Sequence, residues 1–569
     1  RSVPPRRRLR HAGRLPRSPT LRGSPTTHRT NRPSRPRAAR GSAKPARPGG
    51  GVPTAGADRN AHRVRLAARR RNALNIPKEL EKQIQQRYTP AQQPRVQAWL
   101  TDVRARLGGI SRRHAGMMLR DHLEALALLT DRGLPLEKAL ARLDPGQLGG
   151  FYLSERTDWY PLDHAAKIYP MSMGLKRMMV FRLSCYLKKP VEPAIMQMAL
   201  SYTIRRFPYF ATTVKCGFFW HYIDSAMRRF AVRQESKLPC AVMKLGQVSS
   251  PTLRVVYWQN RVSVEFFHIL TDGTGGSVFL RTLVKTYLRL LGESVSDGPE
   301  TLCLDQPPDP AEWRDDFVLG GRMRGAHGFA GKPALQMRGM PAYEQPNRVL
   351  HFNFSTSALL DRAHEKGVTV TTLMLGYLML ACRDACPRRA GRRKIQIQLP
   401  VNMRRFYSSR TLRNFSLYCS INLPPDGIDT LDGILPLIDA QVKAGSARES
   451  LDETLELSRR LVRWLRFVPL IIKRPIAYLI YGTLSDTVFT TTFSNLGPIG
   501  VPRDMAAYID KFDFVLGAPI RNRACCSLCS FQDRAVLTVT KNTPLTLFED
   551  SLYRHFVESG LEPYMEGTS

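Results

Sequence analysis

The sequence predicts a mixed α/β protein with two lobes, preceded by a short helical segment and a basic N-terminal stretch. From about Trp159 onward, short runs of β-branched and aromatic residues alternate with long amphipathic segments. The rhythm of strand, long helix and strand occurs twice along this part of the chain. Because the strands come in local pairs rather than in a strict βαβ series, we expect a mixed α/β class.

The first stretch, residues 1–74, is rich in Arg, Pro, Ser and Gly. It holds 21 Lys or Arg and one acidic residue, Asp58, so it carries about half of the formal net charge of +39. Such a stretch buries too little apolar surface to offset its ordering entropy, so we expect disorder. One interpretation is a basic arm for nucleic acid or anionic lipid. The other, suggested by the start at Arg1 rather than Met, is that it does not belong to the working protein.

Residues 75–150 place apolar side chains at three- and four-residue spacing in four consecutive segments, which is typical of amphipathic helices. Gly133 ends one predicted helix and Pro135 opens the next. This part is either a small helical module or an extension that packs on the residues C-terminal to it. No residue in it points to a particular chemistry.

The first lobe is predicted over residues 155–291. A helix in VEPAIMQMALSYTIRRF ends at Pro208, and the strands LRVVYW and VSVEFF flank a turn at 259–261. The second of these strands runs into His268. The helix SVFLRTLVKTYLRLLG comes next and ends at Gly292.

Residues 292–345 are dense in Gly, Pro and charge, which indicates a linker or crossover. The second lobe is predicted over residues 346–569. It opens with the strand RVLHFNFS and the helix VTTLMLGYLMLACRDA, and its further strand candidates are KIQIQLPVN, LYCSINL, TVFTTTFSNLG and AVLTVTKN.

The pattern HxxxDG at residues 268–273 is the sharpest candidate for chemistry. It lies between a strand and a helix on a Gly-rich turn, where His268 titrates near neutral pH and can take a proton from a hydroxyl, amine or thiol. Asp272 is placed to fix the turn, and Gly273 leaves room for a close approach to the backbone. The alternative is a half-buried histidine that ends a strand, with Asp272 capping the next helix.

Several stretches around the motif resemble the acyl-CoA-dependent acyltransferases related to chloramphenicol acetyltransferase, a superfamily that includes condensation domains and alcohol acetyltransferases. They are PLDHAAKIYP, SYTIRRFPYF, LPVNMRR with TLRNFSLYCSINL, and FSNLGPIGVP. The resemblance covers roughly residues 155–569 and is closest to bacterial alcohol acetyltransferase-like proteins. It implies two lobes of like fold around a substrate tunnel, with donor and acceptor entering from opposite faces.

The resemblance also implies site roles. His268 would deprotonate the acceptor, which attacks the thioester of acyl-CoA or an acyl carrier protein with no covalent enzyme intermediate. Asp272 would be structural and paired with an arginine, for which Arg404 is a candidate. Ser494 and Asn495 would lie near the substrate, where they could donate to an oxyanion. Asn402 and Asn414 would hold loops near the substrate.

At two points the sequence departs from the motifs of particular branches of this superfamily. Phe267 stands where condensation domains of peptide synthetases usually have a second histidine, which counts against peptide-bond formation. The DFGWG-like motif of the plant branch is absent. The expected reaction is therefore O-acylation of a small-molecule, sugar or lipid alcohol, with no permanently bound cofactor. The alternative is a catalytically silent or carrier-protein-dependent relative that binds acyl thioesters.

The remaining features concern location and partners. Cys382, Cys386 and the ACCSLC cluster lack the histidines of a zinc site, so we expect buried reduced thiols and no metal, which favours a cytoplasmic location. The protein is expected to be a monomer. No specific nucleic acid is expected, because residues 75–569 are only mildly basic.

The stretch RWLRFVPLIIKRPIAYLIYG is interrupted by prolines and cations. It is predicted to be either a core helix pair hinged at the prolines or a peripheral contact with a membrane surface.

Overall fold

The computed structural model describes residues 76–567 apart from eight short gaps and two single residues. The gaps are 154–157, 172–178, 244–251, 321–332, 341–347, 388–390, 481–486 and 518–521, and the single residues are 165 and 168. For residues 171 and 477–480 only the backbone is described. The segment 1–74, predicted to be disordered, lies outside the described residues, as do two parts of the predicted linker.

The predicted helical segment contains four helices: α1 Lys78–Arg87, α2 Gln93–Arg106, α3 Arg112–Asp131 and α4 Leu136–Arg142. Their apolar faces join the hydrophobic core of the first lobe, and α3 packs against α5, Pro193–Thr203. The His122 ring lies between Trp99 and Tyr202, with ring centroids 5.8 and 6.3 Å apart. The segment is thus an extension of the first lobe's core.

The first lobe is built on a five-stranded sheet in the order β12-β2-β7-β6-β5. Its strands are β2 Val180–Leu187, β5 Val232–Gln234, β6 Leu253–Trp258, β7 Arg261–Phe267 and β12 Ile509–Leu516. A small three-stranded sheet contains β1 Trp159–Pro161, β3 Thr212–Cys216 and β4 His221–Ser225. Helix α6, Gly273–Leu291, comes after β7 and packs on α5.

The second lobe has a seven-stranded mixed sheet in the order β10-β9-β11-β13-β14-β8-β15. The strands are β8 Arg348–Ser355, β9 Ile395–Asn402, β10 Ser416–Leu423, β11 Thr491–Pro498, β13 Ala524–Phe531, β14 Arg534–Lys541 and β15 Tyr564–Gly567. Its helices are α7 Thr356–Glu365, α8 Val370–Ala385, α9 Leu431–Gly445, α10 Arg448–Leu465, α11 Leu470–Ile480, α12 Arg503–Ala506 and α13 Leu547–Glu558.

The two lobes are interlocked by one strand. β12 comes from the second half of the chain but pairs antiparallel with β2 of the first sheet, from Leu516 opposite Phe181 to Ile509 opposite Leu187. Each lobe keeps a hydrophobic core of its own. The mixed α/β class, with two lobes after a helical segment, is therefore confirmed.

The proline-interrupted stretch forms the end of α10 and the start of α11, with a break at Pro469. The predicted helix pair is present, but most of its described large apolar residues, among them Trp464, Phe467 and Ile471, are exposed rather than part of a core. Among the residues that the structure describes, no single helix has the length and hydropathy of a membrane span. The pair α7–α8, bent by 85°, meets that test by length and composition alone.

Candidate active site

His268 lies at the end of β7, the middle strand of the five-stranded sheet, where its backbone N–H donates to the carbonyl of Met179 at 2.8 Å. Its ring is flanked by Tyr169 at 5.3 Å and by Phe181 at 5.1 Å between centroids. The residue remains partly exposed. Burial among these rings lowers the pKa of His268, although a hydrogen bond to its own carbonyl and the charge of Asp272 oppose the shift. The imidazole is therefore neutral at neutral pH.

Asn414 contacts the Nδ1 atom of His268. The side-chain nitrogen of Asn414 lies 3.4 Å from Nδ1, at the long end for a hydrogen bond, while its oxygen accepts from Ser416. This contact brings the loop 411–415 of the second lobe against the ring.

Asp272 caps α6 and is held by three groups. One carboxylate oxygen accepts from the Gly275 amide at 3.1 Å, and the other accepts from the Phe415 amide at 2.9 Å and from Arg404 Nη1 at 2.8 Å. Burial raises the pKa of this carboxyl, but the ion pair with Arg404 and the two amides outweigh it, so the pKa lies below its ordinary value. Asp272 thus ties the first lobe to the second.

Arg404 comes directly after β9 and organises the loop that faces the motif. Its Nε donates to the carbonyl of Thr411 at 2.8 Å and its Nη2 donates to that of Arg413. Asn402 accepts from the Arg404 amide and donates to Thr274 Oγ1 at 3.3 Å. The structure therefore brings Asn402, Arg404 and Asn414 to the His268 turn. The Asp272–Arg404 pair has the form that the resemblance implied.

Two glycines of the turn sit where a side chain has no room. A Cβ at Gly275 would lie 2.2 Å from the Leu412 carbonyl oxygen, and one at Gly273 would lie 2.6 Å from a methyl group of Leu496. The loop 411–415 and the end of β11 therefore reach the backbone of the turn directly.

Ser494 and Asn495 lie in β11 just before Leu496. The Asn495 amide nitrogen donates to Thr371 Oγ1 at 3.0 Å, and its oxygen accepts from the Gly497 amide at 2.8 Å. These two bonds stabilise the bulge between Asn495 and Gly497, where Gly497 has φ 69°. Asn495 therefore stabilises the bulge of β11, and the role of Ser494 and Asn495 as oxyanion donors stays a prediction.

An open cavity of about 620 Å³ lies between the start of the first lobe and α10. Aromatic side chains and cations line it, among them Trp220, Tyr222, Lys167, Arg463 and Arg466. The same loop that lines it continues to Tyr169, which contacts His268. The substrate tunnel itself stays a prediction.

In the part of the chain that the structure describes, no group of three or more His, Cys, Asp or Glu side chains is arranged to hold a metal ion. Cys382, Cys386 and the three cysteines of ACCSLC are buried and unpaired, as predicted. Burial raises the pKa of each of these thiols, for example that of Cys525 to about 12.

Some residues of the site were missed by sequence reasoning. Tyr169 and Phe181 flank the His268 ring, and Thr271 Oγ1 donates to the Leu412 carbonyl at 2.6 Å. Arg413 Nη2 donates to the Pro161 carbonyl at 2.7 Å and so holds the loop from its other side. Tyr169 lies within the stretch PLDHAAKIYP, Thr271 within the HxxxDG pattern and Arg413 within TLRNFSLYCSINL, so each had an available signal; Phe181 had none.

Comparison with known proteins gave likenesses in structure only. No protein-family model matches the sequence, and no curated protein matches it either. The chain is similar to trichothecene 15-O-acetyltransferase from Fusarium sporotrichioides, with 12% identity, a TM-score of 0.48, and coverage of 70% of this chain and 94% of that one. It is also similar to polyketide synthase associated protein 5 from Mycobacterium tuberculosis, with 14% identity, a TM-score of 0.48, and coverage of 70% and 97%.

A third similar structure is the first condensation domain of the CDA synthetase, with 12% identity, a TM-score of 0.47, and coverage of 71% of this chain and 96% of that one. An acetyltransferase and a condensation domain belong to the classes to which the sequence resemblance pointed. TM-scores below 0.5 are too low to assign a reaction or a substrate to this chain.

Proposed function

We propose that the protein is an O-acyltransferase that moves an acyl group from a thioester, acyl-CoA, to the hydroxyl of an alcohol, with His268 as the general base. The acyl thioester is a co-substrate, and no cofactor is bound permanently. The observation that carries the proposal is the state of His268: a partly exposed imidazole whose pKa is lowered by burial and whose Nδ1 lies beside Asn414, with Nε2 as the proposed base.

The proposed acyl transfer needs no group besides the two substrates and the histidine. Nε2 takes the proton of the acceptor hydroxyl while the oxygen attacks the thioester carbonyl carbon and forms a C–O bond. The C–S bond then breaks, and the imidazolium returns the proton to the leaving thiolate. The products are an ester and a free thiol.

Asp272 has a positioning role in this proposal. Its oxygens are occupied by Arg404 and by the amides of Phe415 and Gly275, so it fixes the turn that carries His268 rather than taking a proton itself. Ser494 is the proposed donor to the oxyanion of the tetrahedral intermediate. Its place in β11, two residues before the Leu496 contact with Gly273, supports this role.

The proposal extends to partners and location. The acceptor is a small-molecule, sugar or lipid alcohol, and the protein acts as a monomer without a specific nucleic acid. All ten cysteines of the chain are free. Because disulfides form mainly in oxidising compartments, this supports a cytoplasmic location.

The test is a screen of acyl-CoA donors against a panel of alcohols, with thiol release and ester mass as the two readouts. We expect equal amounts of thiol and ester with at least one donor and acceptor pair. Tight binding of acyl-CoA without ester formation across the whole panel would contradict the proposal and favour a silent relative. Ester formation only from an acyl carrier protein would contradict the CoA donor.

A further inference from the structure

Large apolar side chains are concentrated in one exposed region of the second lobe. At the junction of α10 and α11, Trp464 is 84% exposed, Phe467 72% and Ile471 82%. A bilayer, a protein partner or a second copy of the chain would each remove such a surface from water.

A second segment of the chain adds to this region. The loop between β3 and β4 carries Phe218, which is 71% exposed. Its carbonyl accepts from the Leu470 amide at 2.8 Å, and the neighbouring carbonyl of Phe219 accepts from Lys473 Nζ at 2.8 Å. The ammonium of Lys473 also lies 3.3 Å from the centroid of the Trp220 ring. These contacts hold Phe218 against the start of α11. We call Phe218, Trp464, Phe467 and Ile471 the apolar face.

Along the chain, the charged residues next to the apolar face are cations, and the nearest preceding acid, Glu456, pairs with Arg459 and Arg460. Between Leu457 and Ile476 the sequence contains six Lys or Arg and no Asp or Glu. Of these cations, Arg463, Arg466 and Arg474 are exposed. Large apolar groups interleaved with arginines are typical of surfaces that insert into the headgroup region of an anionic bilayer, where the apolar groups leave water and the arginines meet lipid phosphates.

We propose that the apolar face and its three arginines dock the protein on an anionic lipid bilayer. A second copy of the chain fits less well, because a symmetric contact would place the same arginines against one another. Docking does not depend on the acyl transfer proposed above. It does place the bilayer near the candidate active site, because α11 packs on the turn Tyr169–Met171 and the Tyr169 ring contacts His268.

The test uses the full-length protein and its co-sedimentation with two kinds of vesicle, pure phosphatidylcholine and an equimolar mixture with phosphatidylglycerol. The wild type should prefer the mixture. Two variants remove each half of the surface: Phe467→Ser with Ile471→Ser, and Arg463→Gln with Arg466→Gln and Arg474→Gln. Each should weaken partitioning into the mixed vesicles by roughly 10- to 100-fold.

Control variants remove comparable exposed side chains elsewhere on the surface. Met340→Ser removes a methionine that is 82% exposed, and Arg392→Gln with Arg393→Gln removes two exposed arginines. We expect both controls, and His268→Ala, to bind as the wild type does. Residues 1–74 are basic too, but every variant keeps them, so differences between variants report on the face alone.

Three results would overturn the proposal. One is wild-type binding by both face variants, which would assign any vesicle binding to residues 1–74 or another surface. The second is a wild type that binds neither vesicle. The third is a wild type that forms a dimer in sedimentation equilibrium and face variants that do not, with no change in vesicle binding. That result would identify a second copy of the chain as the occupant of the apolar face. A loss of vesicle binding with a normal circular dichroism spectrum would support the bilayer.

Discussion

At the scale of single residues, the chemistry of the site rests on how His268 is held. Phe181 and Tyr169 bury the ring enough to lower its pKa, and the side-chain nitrogen of Asn414 lies 3.4 Å from its Nδ1. A base must be unprotonated to act. A lowered pKa therefore keeps His268 competent at pH values where an ordinary histidine is already charged.

This predicts the pH dependence of the reaction. For the best donor and acceptor pair, kcat/KM should stay level as the pH falls through 6.5, the ordinary value for histidine, and should decline only at lower pH where His268 is protonated. The measurement is kcat/KM against pH with the short alcohol that gives the fastest turnover. A decline that begins well above pH 6.5 would contradict a lowered pKa for the base.

Removing one partner of the Asp272–Arg404 pair should lower the free energy of unfolding much more than removing one partner of an exposed ion pair, because both side chains are mostly buried. Removing one partner leaves a charge without its counter-ion, so Asp272→Asn and Arg404→Gln should each lower the free energy of unfolding by about 3 kcal/mol. Urea unfolding of both variants and of the double variant measures the coupling. Losses that simply add in the double variant would show that the pair does not act as a unit.

At the scale of elements, the turn before α6 depends on close backbone contact between the lobes. Gly275→Ala would place a Cβ 2.2 Å from the Leu412 carbonyl oxygen, so the loop 411–415 would have to move. We expect a loss of about 1–3 kcal/mol in stability and a clear loss of turnover. Circular dichroism melting and the thiol-release rate measure the two effects.

Gly116→Ala in α3 is the matched control, since a Cβ there meets nothing within 4 Å. That change should raise stability by about 0.5–1 kcal/mol and leave turnover unchanged. If Gly275→Ala behaved like Gly116→Ala, the direct contact of the loop with the turn would not matter.

Sequence reasoning was most successful for helices and strands that a local residue pattern predicts. Alternation and helical spacing predict β6, β7 and α6, and Gly292, with φ 101°, ends α6 as predicted. The pairing of β12 with β2 was not predicted, because periodicity identifies a strand but not its partner. The exposure of Trp464 and Phe467 was left open between two interpretations for a related reason: an apolar stripe does not show whether protein covers it.

At the scale of the whole molecule, the first lobe and the helical segment share one core. His122 of α3 is fully buried between aromatic rings, and burial lowers its pKa to about 4. The unfolded chain binds a proton at higher pH than the folded chain does. The contribution of His122 to stability is therefore complete above pH 6.5 and is lost as the pH falls toward 4.

This predicts a specific acid sensitivity. Between pH 7 and pH 4, His122 should account for about 3 kcal/mol of the loss in the free energy of unfolding. His122→Phe keeps an aromatic ring but cannot titrate. Urea unfolding at both pH values should show a smaller loss for this variant by about that amount. An equal loss in the wild type and the variant would contradict the contribution of His122 to the acid sensitivity.

The central claim is that His268 is the base of an acyl transfer, and a pair of histidine variants tests it most directly. The measurement is kcat/KM for ester formation, monitored by mass, in His268→Ala and in His364→Ala, whose histidine is exposed on α7. The account predicts a loss of about 10²–10⁴-fold for His268→Ala. It predicts no change for His364→Ala. Ester formation at the wild-type rate by folded His268→Ala would contradict it.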